Sequence, residues 1–279
     1  MTKSERFLVG TKYRPELLKG KYDAIVIGSG IGGLTTAALL SQAGKRVLVL
    51  ERHYMAGGFT HAYKRKGYEW DVGVHYIGGV QNHRSTLRRL FDHISEGRLE
   101  WARITENAYD RITIAGESYD YVSGLEPFRQ QMLEYFPNEN RAIEQYLQLV
   151  FEVERSSRSF FMNKALPPLF SAMTHPFMSR RFQGLADRTT REVISKLSDD
   201  KRLLGVLTGQ WGDYGLPPGQ SSFAIHAMIV RHYLDGANYP VGGASSIARS
   251  IEPTITAQGG DILTSAEVEK VLVHKDRAV

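Results

Sequence analysis

The sequence predicts an α/β fold that begins with a parallel strand–helix–strand unit. Three observations support this prediction: a β-branched run over Tyr22–Gly28, a small apolar stretch over Leu34–Ala43 and a second apolar run over Val47–Leu50. Short apolar runs bounded by turn signals are typical of buried parallel strands. The middle stretch, closed by Gly44, has the length of a helix that packs against the sheet between the two strands.

The turn ahead of this helix has the spacing of a dinucleotide-binding motif. It reads Gly28-Ser29-Gly30-Ile31-Gly32-Gly33, with glycine at the first, third and sixth positions. The first glycine permits a tight turn, the second leaves no Cβ where the backbone approaches a pyrophosphate, and the last lets helix and strand pack closely. The start of the helix offers free N–H groups and a positive dipole end to the phosphates.

An acidic residue ends the second strand. Glu51 follows Gly28 at about the 20-residue spacing at which an acid binds ribose hydroxyls in this motif. The sequence therefore predicts a nucleotide-binding site; the alternative is a glycine-rich turn without a function. A second glycine pair, Gly57-Gly58, lies just beyond the acid. The stretch Gly67–Gly79 then predicts a strand or loop that lies against a flat ligand, because its glycines present no side chains.

The composition excludes several other classes of protein. Hydrophobic residues make up 42% and charged residues 23% of the 279-residue chain, as in a globular protein. The absence of cysteine excludes a disulfide framework and a thiol nucleophile, and none of the nine histidines lies in a zinc-binding motif, so no metal site is predicted. A dispersed net charge of +5 argues against a nucleic-acid partner. The glycines inside the uncharged stretch Ala24–Gly44 argue against a signal peptide or a transmembrane segment.

The run Gly28–Gly58 resembles the N-terminus of the FAD-dependent amine oxidase and phytoene desaturase superfamily. The segments Asp71–Gly79 (DVGVHYIGG) and Gly212–Ala248 narrow the resemblance to the branch of carotenoid isomerases and all-trans-retinol 13,14-reductases. The resemblance implies an α/β fold with a Rossmann-like FAD-binding domain of the GR2 type and an inserted α+β substrate domain. The expected divisions are an N-terminal extension at 1–20, the first part of the FAD-binding domain at 21–81, a substrate or cap domain at 82–235 and a return to the FAD-binding domain at 236–279.

The last residues predict a hairpin that is cut short. Val268–Val273 alternates apolar and polar residues as a strand, and Lys275-Asp276-Arg277 has the composition of a turn. Compared with the family that the sequence resembles, the C-terminal part of the fold is expected to be missing. The chain is therefore expected to be a fragment of a longer enzyme.

The resemblance also implies an activity and a set of site residues. It implies an FAD-dependent oxidoreductase that acts on C=C bonds of an apolar polyene as a saturase, desaturase or isomerase, with NAD(P) as a candidate electron partner. The residues that it assigns to FAD are Gly28, Ser29, Gly30, Ile31, Gly32, Gly33, Glu51, Arg52, Gly57, Gly58 and Val268. His75 is a weak catalytic candidate beside the flavin or substrate, although a lone strand histidine is more often structural. The alternatives are a flavin amine oxidase-like enzyme with a polar substrate and a non-catalytic nucleotide-binding fragment.

The middle of the chain predicts mainly helices. They are expected at Ser85–Ile94, Pro127–Phe136, Asn140–Glu154 and Phe223–Tyr233, with paired strands over Arg111–Val122. In the resembling family such an insertion shapes an apolar substrate tunnel, and a pocket with few polar groups suits an isoprenoid-like ligand.

The aromatic, methionine-rich segment Ser159–Met173 has two interpretations. It contains one charge and lies between Arg158 and Arg180-Arg181, which suits contact with a membrane surface. A buried position in the substrate domain is favoured, because Pro167-Pro168 interrupts any continuous amphipathic helix. The expected location is cytoplasmic, with a peripheral membrane contact as the alternative, and the oligomeric state is left open.

Overall fold

The computed structural model describes residues 8–18, 20–74, 76–104, 108–275 and 277–278. The chain forms two compact units: unit 1 comprises Met1–Ala102 and Asn238–Val279, and unit 2 comprises Arg103–Ala237. The first boundary thus follows residue 102 rather than residue 81, because Phe91 and Ile94 of the intervening helix are buried in the core of unit 1. The second follows residue 237 rather than residue 235. What each unit binds stays a prediction.

The elements fall in three stretches of the chain. In the first, the strands are Thr11–Lys12 (β1), Ala24–Ile27 (β2), Val47–Leu50 (β3), Ala62–Arg65 (β4), Tyr68–Asp71 (β5), Ile77–Gly78 (β6) and Trp101–Arg103 (β7), and the helices are Ile31–Gln42 (α1) and Thr86–Ile94 (α2). In the second, the strands are Asp110–Ile114 (β8) and Glu117–Tyr121 (β9), and the helices are Leu125–Tyr135 (α3), Asn140–Ala165 (α4), Pro168–Met178 (α5), Arg180–Ala186 (α6), Thr190–Ile194 (α7), Lys201–Leu207 (α8) and Phe223–Tyr233 (α9). In the third, the elements are Ala237–Pro240 (β10), Ser245–Thr256 (α10), Asp261–Thr264 (β11), Val273–His274 (β12) and Arg277–Ala278 (β13).

Unit 1 is built on a parallel sheet with the strand order β1-β11-β3-β2. The pairing of β2 with β3 around α1 is the predicted strand–helix–strand unit. Small residues of α1, among them Ala37 and Ala38, are buried together with Ile247 and Ile251 of α10 and Val49 of the sheet. The return segment contributes α10 and β11 to this unit.

Strand β2 differs from its prediction as a buried strand. Ile25 and Ile27 are 53% and 57% exposed, whereas Val26 between them packs against the core. Successive residues of a strand point to opposite faces, and β2 is the last strand of its sheet in the part of the chain that the structure describes. An all-apolar strand sequence therefore did not mean burial on both faces here.

The segment before residue 21 is predicted as an extension, but it contributes a strand to the sheet. Strand β1 pairs in parallel with β11, with Thr11 opposite Leu263. Val9, just before it, is fully buried, and the N–H of Gly10 donates to Oε1 of Glu252 at 3.0 Å. A two-residue strand has no periodicity from which it could be predicted.

Unit 2 combines one hairpin with a set of packed helices. Strands β8 and β9 pair through a two-residue turn in which Ala115 and Gly116 have φ values of +51° and +85°, as a tight hairpin requires. The predicted helices are present, and Ser222 caps α9 by accepting from the N–H of Ala224. Helix α4 extends to Ala165 rather than Glu154, since no helix-stopping residue intervenes before Pro167.

The aromatic segment is not buried as favoured from the sequence. The break at Pro167-Pro168 is present, because α4 ends at Ala165 and α5 begins at Pro168. However, no residue of α5 is buried, and Phe170 and Phe177 are 60% and 88% exposed. Among the described residues, no helix combines the length and apolarity that crossing a membrane requires.

The end of the chain does not form the predicted strand, and Asp276 of the predicted turn lies outside the described residues. Only Val273 and His274 pair, in antiparallel fashion, with Arg277 and Ala278. The predicted strand over Val268–Val273 is otherwise wrong: the segment before Val273 has no regular structure, because the alternating pattern finds no partner strand within the described residues.

Candidate nucleotide-binding site

The loop between β2 and α1 is shaped by glycines at its two ends. Gly28 has a φ of +92°, a conformation that side chains disfavour, and its N–H donates to the carbonyl of Leu50 at 2.8 Å. A Cβ on Gly33 would lie 2.0 Å from the carbonyl oxygen of Gly28. The first glycine thus allows the turn and the last allows the close approach of helix to strand, as predicted.

The glycines of the loop border open space. At Gly28, Gly30 and Gly32, no atom apart from those of neighbouring residues in the chain lies within 4 Å of the position that a Cβ would occupy. Gly30 is also the N-cap of α1, where no side chain caps the first turn and no acidic residue follows in that turn. The N–H groups and positive dipole of α1 therefore face a space that an anionic group can enter.

Glu51 is held beside this loop by three hydrogen bonds. Its Oε2 accepts from the backbone N–H of Ser29 at 2.8 Å and from the Ser29 hydroxyl at 2.6 Å, and its Oε1 accepts from the N–H of His53 at 2.8 Å. The residue is 9% exposed. Because a carboxylate has about four lone-pair positions, Oε1 keeps one position for a further donor such as a ribose hydroxyl.

The same contacts keep the acid ionised. Burial alone would raise the pKa of Glu51, but the hydrogen bond from the Ser29 side chain, together with those from the backbone of His53 and Ser29, lowers its pKa below the ordinary value. Glu51 is therefore an anionic hydrogen-bond acceptor at neutral pH.

The second glycine pair packs directly on the loop. The N–H of Gly57 donates to the Ser29 hydroxyl at 3.1 Å, and a Cβ on Gly58 would lie 2.8 Å from the Cα of Gly30. Ser29 thus joins Glu51, the loop and Gly57 in one network. The motif spacing predicts that these parts meet, but it does not predict that Ser29 connects them.

The remaining predicted residues are Arg52, Val268 and His75. Arg52 is exposed. The segment after β11 is held beside the acid, since the N–H groups of Ser265 and Ala266 donate to the carbonyls of His53 and Glu51, both at 2.8 Å. Val268, two residues further on, is half-buried. His75 lies outside the described residues.

A group of aromatic rings beside the loop was not predicted. The ring of His53 lies 4.3 Å from that of Tyr54 and 4.6 Å from that of His61, measured between centroids. His61 also places Nδ1 2.5 Å from the carbonyl oxygen of Gly58. These residues carry no motif of their own, so no sequence signal indicates the cluster. Within the described ranges, no group of three or more histidine or acidic residues is placed to hold a metal ion.

Comparisons with known sequences fit this geometry. The model of the NAD(P)-binding Rossmann-like domain matches residues 26–94. All-trans-retinol 13,14-reductases of Danio rerio and Homo sapiens are 39% and 38% identical to the chain and cover 90% and 91% of it. The prolycopene isomerase of Daucus carota is 26% identical and covers 93%. The chain is a homologue of these proteins. It spans less than half of their length, 42% of the two reductases and 43% of the isomerase.

Solved structures confirm the predicted fold class. An oxidoreductase from Methanosarcina mazei has a TM-score of 0.57 at 20% identity and covers 91% of this chain and 54% of its own. A putrescine oxidase variant has a TM-score of 0.59 at 17% identity, with 92% and 54% covered. Cyclohexylamine oxidase from Brevibacterium oxydans has a TM-score of 0.54 at 20% identity, with 88% and 51% covered. At these identities the likeness concerns the fold alone.

Proposed function

We propose that the chain supplies the FAD-binding part of a flavin-dependent oxidoreductase that acts on C=C bonds of an apolar polyene. The observation that carries the proposal is the network through Ser29, which brings Glu51 and Gly57 to the glycine-rich loop at the start of α1. The homology to retinol reductases and prolycopene isomerases supports the substrate class. The amine oxidases share only the fold, so the polar-substrate alternative has weaker support.

Each part of the site has a proposed role toward the cofactor. The open space at Gly30 and Gly32 takes the pyrophosphate against the N–H groups of α1, which include that of Ile31. Glu51 accepts a hydrogen bond from the adenosine ribose through Oε1. The bound flavin supplies the redox chemistry, and the chain supplies position and electrostatics.

The remaining assignments rest on the resemblance of the sequence. Gly57 and Gly58 face the flavin half, Arg52 the adenosine half and the backbone of Val268 the adenine. His75 stays the candidate for a residue beside the flavin or substrate. NAD(P) is the proposed electron partner, and a cytoplasmic location with a peripheral membrane contact is proposed, without a nucleic-acid partner.

Anaerobic mixing of the FAD-loaded full-length protein with candidate reductants and substrates tests this function. We expect NAD(P)H to bleach the visible absorbance of the bound flavin and a retinoid or carotenoid to restore it, with the altered polyene recovered and identified by mass. Bleaching by amines with no response to any polyene would instead favour an amine oxidase-like enzyme.

A second candidate, a nucleotide-binding protein without catalysis, is favoured by one comparison. A Danio rerio protein named inactive all-trans-retinol 13,14-reductase is 32% identical to the chain and covers 95% of it, while the chain covers 45% of that protein. This candidate predicts stoichiometric FAD binding with no flavin reduction or reoxidation by any of these compounds.

A further inference from the structure

Helix α5 turns its apolar side away from the protein. Leu169, Phe170, Met173 and Phe177 are 60–88% exposed. At 3.6 residues per turn, these four positions lie within an arc of about 100° on one side of the helix. Phe161 and Met162, 55% and 61% exposed, add to this surface from the end of α4. We call these six residues the apolar face.

The polar side of α5 is the side that faces its own chain. Asn163 of α4 is fully buried, and its amide nitrogen donates to the carbonyl of Ser171 at 3.0 Å and to the hydroxyl of Thr174 at 2.9 Å. The Ser179 hydroxyl donates to the carbonyl oxygen of the same amide at 3.3 Å. A surface helix normally buries its apolar side and exposes its polar side. In α5 this orientation is inverted, and a buried hydrogen-bond network holds it so. Packing within unit 2 therefore does not explain why the apolar face exists.

Positive charge surrounds the most exposed residue of this face. Phe177 lines two adjoining surface hollows of about 420 and 570 Å³, together with Arg155, Arg180, Arg181 and Arg188. Arg181 pairs with Glu152, with 2.6 Å between Nε and Oε1. The other three arginines have no ion pair with any residue that the structure describes. We call Arg155, Arg180 and Arg188 the basic rim.

We propose that the apolar face and the basic rim form a docking surface for an anionic lipid membrane. Apolar side chains beside arginines match an interfacial membrane contact, in which the apolar groups enter the acyl boundary and the cations meet lipid phosphates. A second copy of the chain is the less favoured occupant, because pairing two such faces would bring two basic rims together. With 11 residues, α5 lies along the membrane surface rather than across it. This surface gives the proposed peripheral membrane contact a defined position and does not depend on the flavin site.

Vesicle co-sedimentation tests the docking surface. The full chain is mixed with vesicles of phosphatidylcholine, with or without phosphatidylserine. We expect it to pellet preferentially with the anionic vesicles. Combining Leu169→Gln, Met173→Gln and Phe177→Gln is expected to lower the partition coefficient at least about tenfold. The matched control combines Leu216→Gln and Ile225→Gln, which change other exposed apolar residues of unit 2 and are expected to leave pelleting unchanged.

A second set of variants tests whether vesicle binding depends on the basic rim or only on the net charge of the protein. Combining Arg155→Gln, Arg180→Gln and Arg188→Gln is expected to lower binding to anionic vesicles roughly 100-fold, at about fivefold per cation. The control with the same change in charge combines Arg141→Gln, Lys196→Gln and Lys201→Gln, three exposed cations elsewhere in unit 2, and is expected to have a much smaller effect.

Two results would overturn the docking surface. One is vesicle binding that is absent or unchanged by the apolar-face substitutions. The other is a dimer of the unsubstituted chain that dissociates on the same substitutions without any vesicle binding, which would assign the face to a second copy. Thermal unfolding checks that each variant is folded, and FAD titration of the same variants is expected to be unchanged. Failure of the docking surface is thereby distinguished from failure of the flavin site.

Discussion

The substitution Glu51→Gln tests the hydrogen-bond network at the nucleotide site. The carboxylate accepts at both oxygens, whereas the glutamine amide has one accepting oxygen and one donating NH2 group. If the NH2 group replaces Oε2, it faces the N–H of Ser29; if it replaces Oε1, it faces the N–H of His53. At least one backbone donor is therefore left without an acceptor in either orientation.

The expected effects follow from the energies of these hydrogen bonds. An unpaired buried donor costs about 1–3 kcal/mol, and a hydrogen bond to a charged group contributes about 1.5–3 kcal/mol. We expect the substitution to lower the free energy of unfolding by about 2–3 kcal/mol, and Tm by roughly 4–12 °C. Loss of the charged acceptor for the ribose hydroxyl is expected to weaken FAD binding by roughly 10–100-fold.

Two assays check this prediction. Thermal unfolding without added nucleotide measures the stability effect, and fluorescence titration with FAD at a temperature well below both Tm values measures the affinity. The control is Glu16→Gln, which changes an exposed glutamate outside the site. Equal FAD affinity in the Glu51→Gln variant and the unsubstituted protein would refute the role given to the acid, whatever happens to stability.

Three further predictions test the loop and the core of unit 2. Gly30→Val places its Cβ in open space, so Tm should stay within about 2 °C while FAD binding is lost. The control Gly184→Ala also places its Cβ in open space, within α6, and should leave FAD binding unchanged without lowering Tm. Gly33→Ala forces a Cβ to within 2.0 Å of a carbonyl oxygen, so thermal unfolding should show a loss of more than about 3 kcal/mol, and near-native stability would contradict the packing. Burial lowers the pKa of His226 to about 4, so the histidine of the unfolded state is protonated first as the pH falls. The free energy of unfolding should therefore drop by about 2 kcal/mol from pH 7.5 to pH 5. Urea unfolding at the two pH values measures this drop, and an unchanged midpoint would contradict it.

Burial explains why the charge of His226 is so disfavoured, and its two hydrogen bonds suit the neutral ring. Its Nε2 lies 2.8 Å from the Tyr146 hydroxyl and its Nδ1 3.0 Å from the Tyr214 hydroxyl, and the ring is fully buried. A neutral ring can donate to one hydroxyl and accept from the other. The variant His226→Gln is expected to be less stable at neutral pH and to show a weaker dependence on pH between 7.5 and 5.

Local patterns in the sequence predict the nucleotide site well. The glycines of the loop and the acid after β3 lie close together in the chain. Each position has one physical requirement, the absence of a side chain or the presence of a carboxylate, and the residue type indicates it directly. The same holds for the hairpin at Ala115-Gly116 and for the capping of α9 by Ser222. These features depend on backbone conformation and spacing rather than on distant partners.

Features that depend on distant partners were not predictable. Strand β1 exists because β11, about 250 residues later, offers an edge. The exposure of Ile25 and Ile27 depends on what packs on the other face of the sheet, which no pattern within β2 contains. The segment Ser159–Met173 has the composition of a core, but the hydrogen bonds of the buried Asn163 hold the polar side of α5 inward, and no local pattern indicates this.

A crystal structure of the full-length protein with bound FAD would show whether the glycine loop holds the cofactor. We expect the pyrophosphate within hydrogen-bond distance of the N–H groups at Ile31 and Gly32, and a ribose hydroxyl donating to Oε1 of Glu51. A cofactor bound elsewhere, or a loop at Gly28–Gly33 closed by other side chains, would contradict it.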